Sequence, residues 1–359
     1  MFADIYRRRR VWLSGHTGFK GAWLAEWLHQ LGAEVRGYAL PPDNGQPLFD
    51  ELGLAAGMES QFGDVRDGEA VRKSITDFQP DFVFHLAAQP LVRASYEIPV
   101  QTMATNVLGT VHVLDALRGL KNSCAAVIVT SDKCYENLET GRPHEEDEPM
   151  GGRDPYSASK GMAELAVSSY ARSFFGQGQP VRVVSARAGN VIGGGDLSAD
   201  RIVPDILRAR QGRRPLVVRN PAATRPWQHV LEPLSGYLWL GAVLAKPKLA
   251  VVPEEPVTSF NFGPAGEAVR TVGELVEGFR RAWPDLRVES GSAGPHEAMK
   301  LSLSVRRAAR VLGWSPVWDF ESTITRTIGW YAGGPRAGCE ADIAAYVAAA
   351  RLRGLRWTA

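Results

Sequence analysis

Short apolar runs alternate with amphipathic stretches through the first half of the chain, the pattern of a parallel sheet covered on both faces. Runs of aliphatic and β-branched residues predict strands at 11–14, 34–39, 82–86, 125–130 and 181–186. Between them a 3.6-residue period predicts helices over 21–31, 100–118 and 155–175, with Pro155 suited to a first turn. Beyond Ala186 the pattern changes. Segments rich in Gly, Pro and Arg at 193–195 and 212–227 read as binding loops, not as a further strand–helix repeat. Helical periodicity returns at 271–282 and 305–312, and an Ala-rich stretch over 340–353 predicts a peripheral C-terminal helix. The expected class is α/β, a doubly wound parallel sheet with a smaller α/β C-terminal substrate lobe. The expected division is 1–186 for the sheet domain, 187–340 mainly for the lobe with some segments returning to the sheet, and 341–359 for the terminal helix.

Composition narrows the classes. Hydrophobic residues make up 45% of the 359, enough for a sizeable core. The 41 Lys and Arg against 39 Asp and Glu leave a formal charge of +2, which argues against a nucleic-acid binder working through overall charge. The run Arg7 to Arg10 reads as a basic lead-in to the first strand, because Gly15, His16, Gly18, Lys20 and Gly21 break the apolar stretch that a signal peptide needs. No stretch approaches the ~20 apolar residues of a membrane span; the nearest, 233–245, fits a packed helix better. Cys124, Cys134 and Cys339 have neither disulfide-framework nor zinc spacing, so no metal is expected and the cytoplasm is the expected location.

The first predicted strand runs into Gly15-His16-Thr17-Gly18-Phe19-Lys20-Gly21 and then a helix. Glycines at this spacing allow a tight turn and close backbone approach, while the helix N-terminus offers amides to a pyrophosphate. The strand–turn–helix context makes this a dinucleotide-binding loop and the sheet Rossmann-like. The acidic residue that often grips an NAD ribose is absent from the end of the second strand, at Tyr38-Ala39-Leu40. Asp64, followed by Val65, is a candidate acceptor for the adenine amino group, with a loop or helix-cap role as its plain alternative. Tyr156 and Lys160 lie four residues apart on one face of a predicted helix. An ammonium beside the phenol is expected to lower the tyrosine pKa and fit it to take a proton from a sugar hydroxyl.

Together with the glycine loop, this pair resembles the extended short-chain dehydrogenase/reductase family over nearly the whole chain. The resemblance implies a seven-stranded parallel sheet, NAD as cofactor, and homodimers joined through helices that include the Tyr156 helix. It also implies that Leu86-Ala87-Ala88 passes beside the nicotinamide ribose. Within the family, the glycine loop, Thr130-Ser131-Asp132-Lys133-Cys134-Tyr135 and Arg225-Pro226-Trp227-Gln228-His229-Val230 are similar to the branch of nucleotide-sugar dehydratases that acts on CDP-glucose. Asn261-Phe262-Gly263-Pro264 and Pro295-His296-Glu297-Ala298 add to this. Many related dehydratases carry Thr-Asp-Glu where this chain has Ser131-Asp132-Lys133, and the CDP-glucose branch shares the lysine. Under that resemblance Ser131 bonds the C4 oxygen and protonated Asp132 donates to the departing C6 hydroxyl. Lys133 either takes the C5 proton as a neutral base or stays charged and stabilises the enolate.

A diphosphate calls for arginine, whose planar fork binds two oxygens. The resemblance places a phosphate-binding arginine at Arg225 and a substrate-binding asparagine at Asn190. Arg219, Arg93 and His296 are further candidates, against plain readings as solvated loop or helix-entry residues. Trp227 reads as a packing residue more than as a base stacker. The rivals are a 4-epimerase of the same architecture, which has no need of Asp132 and Lys133, and a non-catalytic NAD-binding protein, which has no need of Tyr156, Lys160 and Asp132 together.

Overall fold

The computed structural model describes residues 1–42, 47–176, 178–252, 258–264, 269–291 and 300–359. Strands β1 (Arg10–Ser14), β2 (Glu34–Ala39), β3 (Glu59–Phe62), β4 (Phe82–His85), β5 (Cys124–Val129), β6 (Val181–Ala188) and β7 (Ser259–Phe262) form one sheet. Their order is β7-β6-β5-β4-β1-β2-β3, and every neighbouring pair is parallel. The larger helices, in chain order, are α1 (Phe19–Gln30), α2 (Gly68–Phe78), α3 (Gly109–Leu117), α4 (Pro155–Phe174), α5 (Ile202–Gln211), α6 (Leu231–Ala245), α7 (Val272–Ala282), α8 (Phe320–Gly333) and α9 (Pro335–Leu352). No described helix is long and apolar enough to cross a membrane.

The period-2 alternation of the central strands builds a core on each face of the sheet. Val11 and Leu13 of β1, Phe82 and Phe84 of β4 and Val127 of β5 meet Trp23 and Trp27 of α1 and Leu234 and Leu238 of α6. The intervening Trp12, Val83 and Ile128 meet Val71 and Ile75 of α2, Leu114 of α3 and Val167 of α4. Both edge strands, β3 and β7, escape a reading by periodicity. β3 is the four-residue run Glu59-Ser60-Gln61-Phe62 and pairs on one side only, so its composition is that of a solvated edge. β7 is as short and carries Asn261, which is fully buried because its side chain joins a polar network.

Two further differences have physical causes. The C-terminal helix begins earlier than its Ala-rich stretch, at Pro335, and is not peripheral. Cys339, Ile343, Tyr346 and Val347 are buried in the same apolar core as β1 and α1. The helix expected over 100–118 is interrupted by a π turn at Ala104–Leu108, which turns Asn106 inward. Asn106 accepts from the Gln89 backbone N–H at 2.8 Å and donates to Gln89 O at 3.1 Å and to Ser159 Oγ at 2.8 Å. One buried amide thus ties the loop after β4 to α4, and a π turn at a functional site is a common use of that geometry.

The second half builds its own apolar cluster. Ile206 and Leu207 of α5, Leu275 and Phe279 of α7 and Ile324 of α8 pack around Trp227. Helix α7 is fixed at its start by a reciprocal cap between Thr271 and Glu274.

Candidate active site

Every site residue named from the sequence, His296 aside, lines one cleft of about 580 Å³ at the carboxyl ends of the strands. His296 lies outside the described residues. At the base of the cleft Gly15 has a φ of +74°, and a Cβ there would come within 2.8 Å of Ala87 N. A Cβ on Gly21 would fall 2.0 Å from Gly15 O, so helix α1 closes on the loop as only glycine permits. Ser14 Oγ accepts from the N–H groups of Leu86 and Ala87 at 3.0 and 3.1 Å, which seats the 86–88 segment against the glycine loop. The N-terminus of α1, beginning at Phe19 with Gly18 as cap, opens towards the cleft. This cradle fits a dinucleotide: its backbone is close and glycine-lined, and it leads straight into a helix N-terminus.

Val65 is buried, and Asp64 lines the cleft with its carboxylate held by Arg66 Nη2 at 2.5 Å. That pairing is what lowers the Asp64 pKa. Thr17 Oγ1 donates to Leu40 O at 3.0 Å and fixes the loop against the end of β2.

Helix α4 presents the tyrosine–lysine pair. Its cap, Asp154, accepts from Ser157 N at 2.9 Å and Ser157 Oγ at 2.6 Å, and Pro155 takes the first helical position. Lys160 Nζ lies 6.0 Å from the centre of the Tyr156 ring. The tyrosine is not depressed, contrary to the expectation from the spacing. Burial pushes Tyr156 up to about 12, with hydrogen bonding to Ser131 pulling the other way and the Asp132 charge adding to the rise. Burial likewise brings Lys160 down to about 8, opposed by the nearby Glu164. Spacing alone could show the ammonium but not the desolvation that outweighs it.

Ser131, Asp132 and Lys133 follow β5 directly. Ser131 Oγ donates to Asp132 Oδ1 at 3.0 Å and accepts from Lys133 N–H at 3.2 Å. Asp132 is 3% exposed, and burial raises its pKa against the pull of Lys133, Ser131, Arg225 and Lys20. Its Oδ2 has no hydrogen-bond partner among the described residues and faces Gly189, where a Cβ would sit 2.9 Å away. A buried carboxyl that favours its proton, lies in the wall of a cleft and keeps one oxygen unpartnered is equipped as a general acid.

Towards the mouth, Arg93 Nη1 and Arg219 Nη2 approach one oxygen of Asp200 at 3.2 and 3.5 Å. Arg225 is buried at the cleft wall with Nη1 donating to Thr224 O at 2.9 Å, and Asn190 lines the same wall. Trp227 is buried with Nε1 donating to Arg270 O at 3.2 Å, the environment of a packing residue.

Several contributors gave no sequence signal. Glu164, one turn beyond Lys160, is buried and accepts from Ser185 Oγ and Arg187 Nη2, both at 2.7 Å, and from Thr130 Oγ1. Arg187 continues to Tyr135 Oη at 2.7 Å, and Tyr135 donates to Asn261 Oδ1 at 2.7 Å. This network pins the end of β5 to β6, β7 and α4. Lys20 was legible as part of the glycine loop, but its nearness to Asp132 was not.

A doubly wound sheet, a glycine cradle and a Tyr156–Lys160 pair facing Ser131 and Asp132 define a short-chain dehydrogenase/reductase built for sugar nucleotides. The chain belongs to the GDP-mannose 4,6 dehydratase family, whose model matches residues 13–327. It is 46% identical to the CDP-glucose 4,6-dehydratase of Salmonella typhimurium, over 91% of this chain and 92% of that protein. It is 27% identical to GDP-mannose 4,6 dehydratase 1 of Arabidopsis thaliana, over 90% of each. Among solved structures, dTDP-glucose 4,6-dehydratase of Bacillus anthracis in complex with NAD superimposes with a TM-score of 0.72 at 19% identity, covering 90% of this chain and 96% of that one. A UDP-glucose 4-epimerase of Thermotoga maritima does so with a TM-score of 0.75 at 19% identity, covering 90% and 98%. Dehydratases and epimerases therefore share this fold, and the site must separate them.

Proposed function

We propose that the chain is an NAD-dependent hydro-lyase that converts CDP-glucose to CDP-4-keto-6-deoxyglucose and water. The observation that carries the reading is Asp132, a buried acid with one oxygen unpartnered among the described residues, next to Lys133 in the chain and lining the same cleft as the Tyr156–Lys160 pair. Bound NAD supplies the redox chemistry, a hydride acceptor at C4 that becomes the donor to C6. The glycine loop with Thr17, Phe19 and Lys20 holds its pyrophosphate end, Asp64 and Val65 its adenine, and Leu86 to Ala88 its nicotinamide ribose.

Tyr156 takes the proton of the C4 hydroxyl as the phenolate, a form that the neighbouring Lys160 and the positive charge bound NAD would bring both favour against the burial that raises its pKa, with Ser131 bonding the C4 oxygen. The resulting ketone acidifies the C5 proton. Lys133, as the neutral amine, removes that proton, and the ammonium so formed stabilises the enolate. Asp132 gives its proton to the C6 oxygen, which leaves as water. The lobe formed mainly by 187–340 holds the nucleotide sugar, with Arg225, Arg219 and Arg93 on the diphosphate, Asn190 on the sugar and His296 near the nucleotide.

The working unit is a homodimer in the cytoplasm. Val100, Leu108, Met162 and Leu165, on α4 and the helical segment before α3, expose apolar side chains that a second copy would cover. A 4-epimerase needs no acid at C6, so the buried Asp132 counts against that reading. The test is incubation with CDP-, dTDP-, GDP- and UDP-linked hexoses. A 4-keto-6-deoxy product from CDP-glucose is expected, whereas a 4-epimer or no turnover of any hexose would overturn the assignment.

A further inference from the structure

His85 ends β4 opposite Ser14 at the end of β1, the two being register partners in the sheet, and both side chains are buried. Its Nδ1 lies 2.7 Å from Ser14 Oγ, and its Nε2 lies 3.2 Å from Thr110 Oγ1 on α3. A hydroxyl has one donor and two acceptor sites, so the direction of each bond can be counted. Ser14 Oγ already accepts from the N–H groups of Leu86 and Ala87, which leaves its O–H for Nδ1. Thr110 Oγ1 donates its hydrogen to Asn106 O at 2.8 Å, so it accepts from Nε2. Both ends require the same form of the ring, neutral with its hydrogen on Nε2. Burial and the nearby Lys160 charge agree with this, bringing His85 down to about 3.

The ring stands behind two clamps on one segment. Ser14 holds the Leu86 and Ala87 amides, while Asn106 Oδ1 holds the Gln89 amide at 2.8 Å. Asn106 Nδ2 also donates to Ser159 Oγ at 2.8 Å, and Ser159 Oγ donates to Tyr156 O at 2.6 Å. Hydrogen bonds through His85, Thr110 and Asn106 thus join the loop after β4 to the backbone of Tyr156.

We propose that His85 is a positioning residue for hydride transfer: as the neutral Nε2–H tautomer it couples the two clamps and so sets the 86–88 segment against Tyr156. This rests on the function proposed above, in which 86–88 seats the nicotinamide ribose and Tyr156 takes the C4 proton. His85 does not line the cleft and acts through the groups it holds. Hydride transfer responds steeply to where donor and acceptor stand, and an ångström of misplacement costs ~10²-fold.

Nitrogen-15 NMR of the imidazole-labelled parent enzyme tests the tautomer. The His85 signal, identified by its loss in His85→Phe or its shift in Thr110→Val, should show a hydrogen on Nε2 alone from pH 5 to 8. A hydrogen on Nδ1, or titration within that range, would overturn the proposal.

Kinetics test the role. His85→Phe keeps a flat ring without nitrogens and should lower kcat for CDP-glucose by ~10²-fold with KM little changed. The isotope effect of deuterium at C4 should rise, because hydride transfer is the step that slows. Given CDP-4-keto-glucose, the variant should exchange the C5 proton near the parent rate, since that step moves no hydride. Thr110→Val, which removes one clamp and leaves His85 in place, should show the same pattern more weakly and carries the test if His85→Phe does not fold. Parent kcat and isotope effect in the folded variants, or C5 exchange lost in step with hydride transfer, would overturn the role of His85 and leave the dehydratase reading intact. A parent enzyme that forms no 4-keto-6-deoxy product would instead overturn that reading.

Discussion

Arg93 and Asp200, 107 positions apart in the chain, meet at 3.2 Å at the mouth of the cleft. Arg219 reaches the same Asp200 oxygen at 3.5 Å from the other half of the molecule. Two guanidinium groups converging on one carboxylate oxygen reproduce the arrangement a diphosphate oxygen would take. Asp200 also has a φ of +58°, a left-handed conformation that aspartate tolerates but does not favour. Its carboxylate is therefore placed to compete with the nucleotide for both arginines. In Asp200→Asn, affinity for CDP should rise by about 2–5-fold at low salt, the worth of partly exposed ion pairs. Titration calorimetry checks this, and weaker CDP binding would make Asp200 a support for the arginines instead of a competitor.

Tyr156 and Lys133 are assigned to different half-reactions, and a bypass substrate tells them apart. Tyr156→Phe should lose ~10²-fold or more in turnover of CDP-glucose while still binding cofactor. Supplied with CDP-4-keto-glucose, it should still exchange the C5 proton with deuterated solvent, because the ketone is already present. Lys133→Met keeps an apolar stem of similar length, yet should fail to exchange C5 from either sugar. Proton NMR in deuterated buffer reads both, and parent-like exchange in Lys133→Met would remove that residue from the C5 step.

Away from the cleft, Glu232 on α6 is fully buried and accepts from the N–H groups of Val317 at 2.9 Å and Trp318 at 2.7 Å and from Tyr346 Oη at 2.7 Å. Burial pushes its carboxyl up to about 7 from 4.5, despite those donors. The folded state therefore holds a proton that the unfolded chain releases. The stabilisation is complete below about pH 4.5 and is lost as pH rises through about 7. Thermal unfolding from pH 5 to 8 should show a fall on the order of 1–3 kcal/mol that Glu232→Gln flattens. Parallel curves for parent and variant would assign the pH dependence to other groups.

What the sequence discloses follows from how locally each feature is determined. β1 and β5 are buried on both faces, so their apolar runs are unbroken, and the glycine loop and the Tyr156–Lys160 spacing are complete within a few residues. The edge strand β3 reads as a polar loop because none of its four residues is buried and one edge is unpaired in the sheet. The π turn at Ala104–Leu108 leaves the helical period nearly unchanged and shows only in the contacts of Asn106. Glu164 and Arg187 are 23 positions apart, and nothing in either neighbourhood announces a buried ion pair at 2.7 Å. Asp200 is one acid in a polar stretch until its two arginines arrive from distant segments. The rise of the Tyr156 pKa is hidden from the sequence for the same reason, since burial is a property of the whole fold.

Gly189 follows β6 directly and borders the unpartnered oxygen of Asp132. A Cβ at this position would lie 2.9 Å from Asp132 Oδ2 and 2.8 Å from Pro226 Cγ, closer than such contacts allow. Pro226 is held in a short strand paired with Val269–Thr271, so the carboxyl group is the partner that must yield. Turning it away lengthens its bond to Ser131 and withdraws the acid from the face where the C6 oxygen would lie. Gly189→Ala should thus lower kcat by ~10²-fold, the cost of an ångström-scale misplacement of a reacting group. Its KM should change little, because the arginines that would hold the diphosphate are untouched. Overpacking of this kind costs about 1–3 kcal/mol, so the variant should melt a few degrees lower yet remain folded. A folded Gly189→Ala enzyme with parent kcat would mean that Asp132 Oδ2 does not face the substrate, and the general-acid role would have to pass to another group.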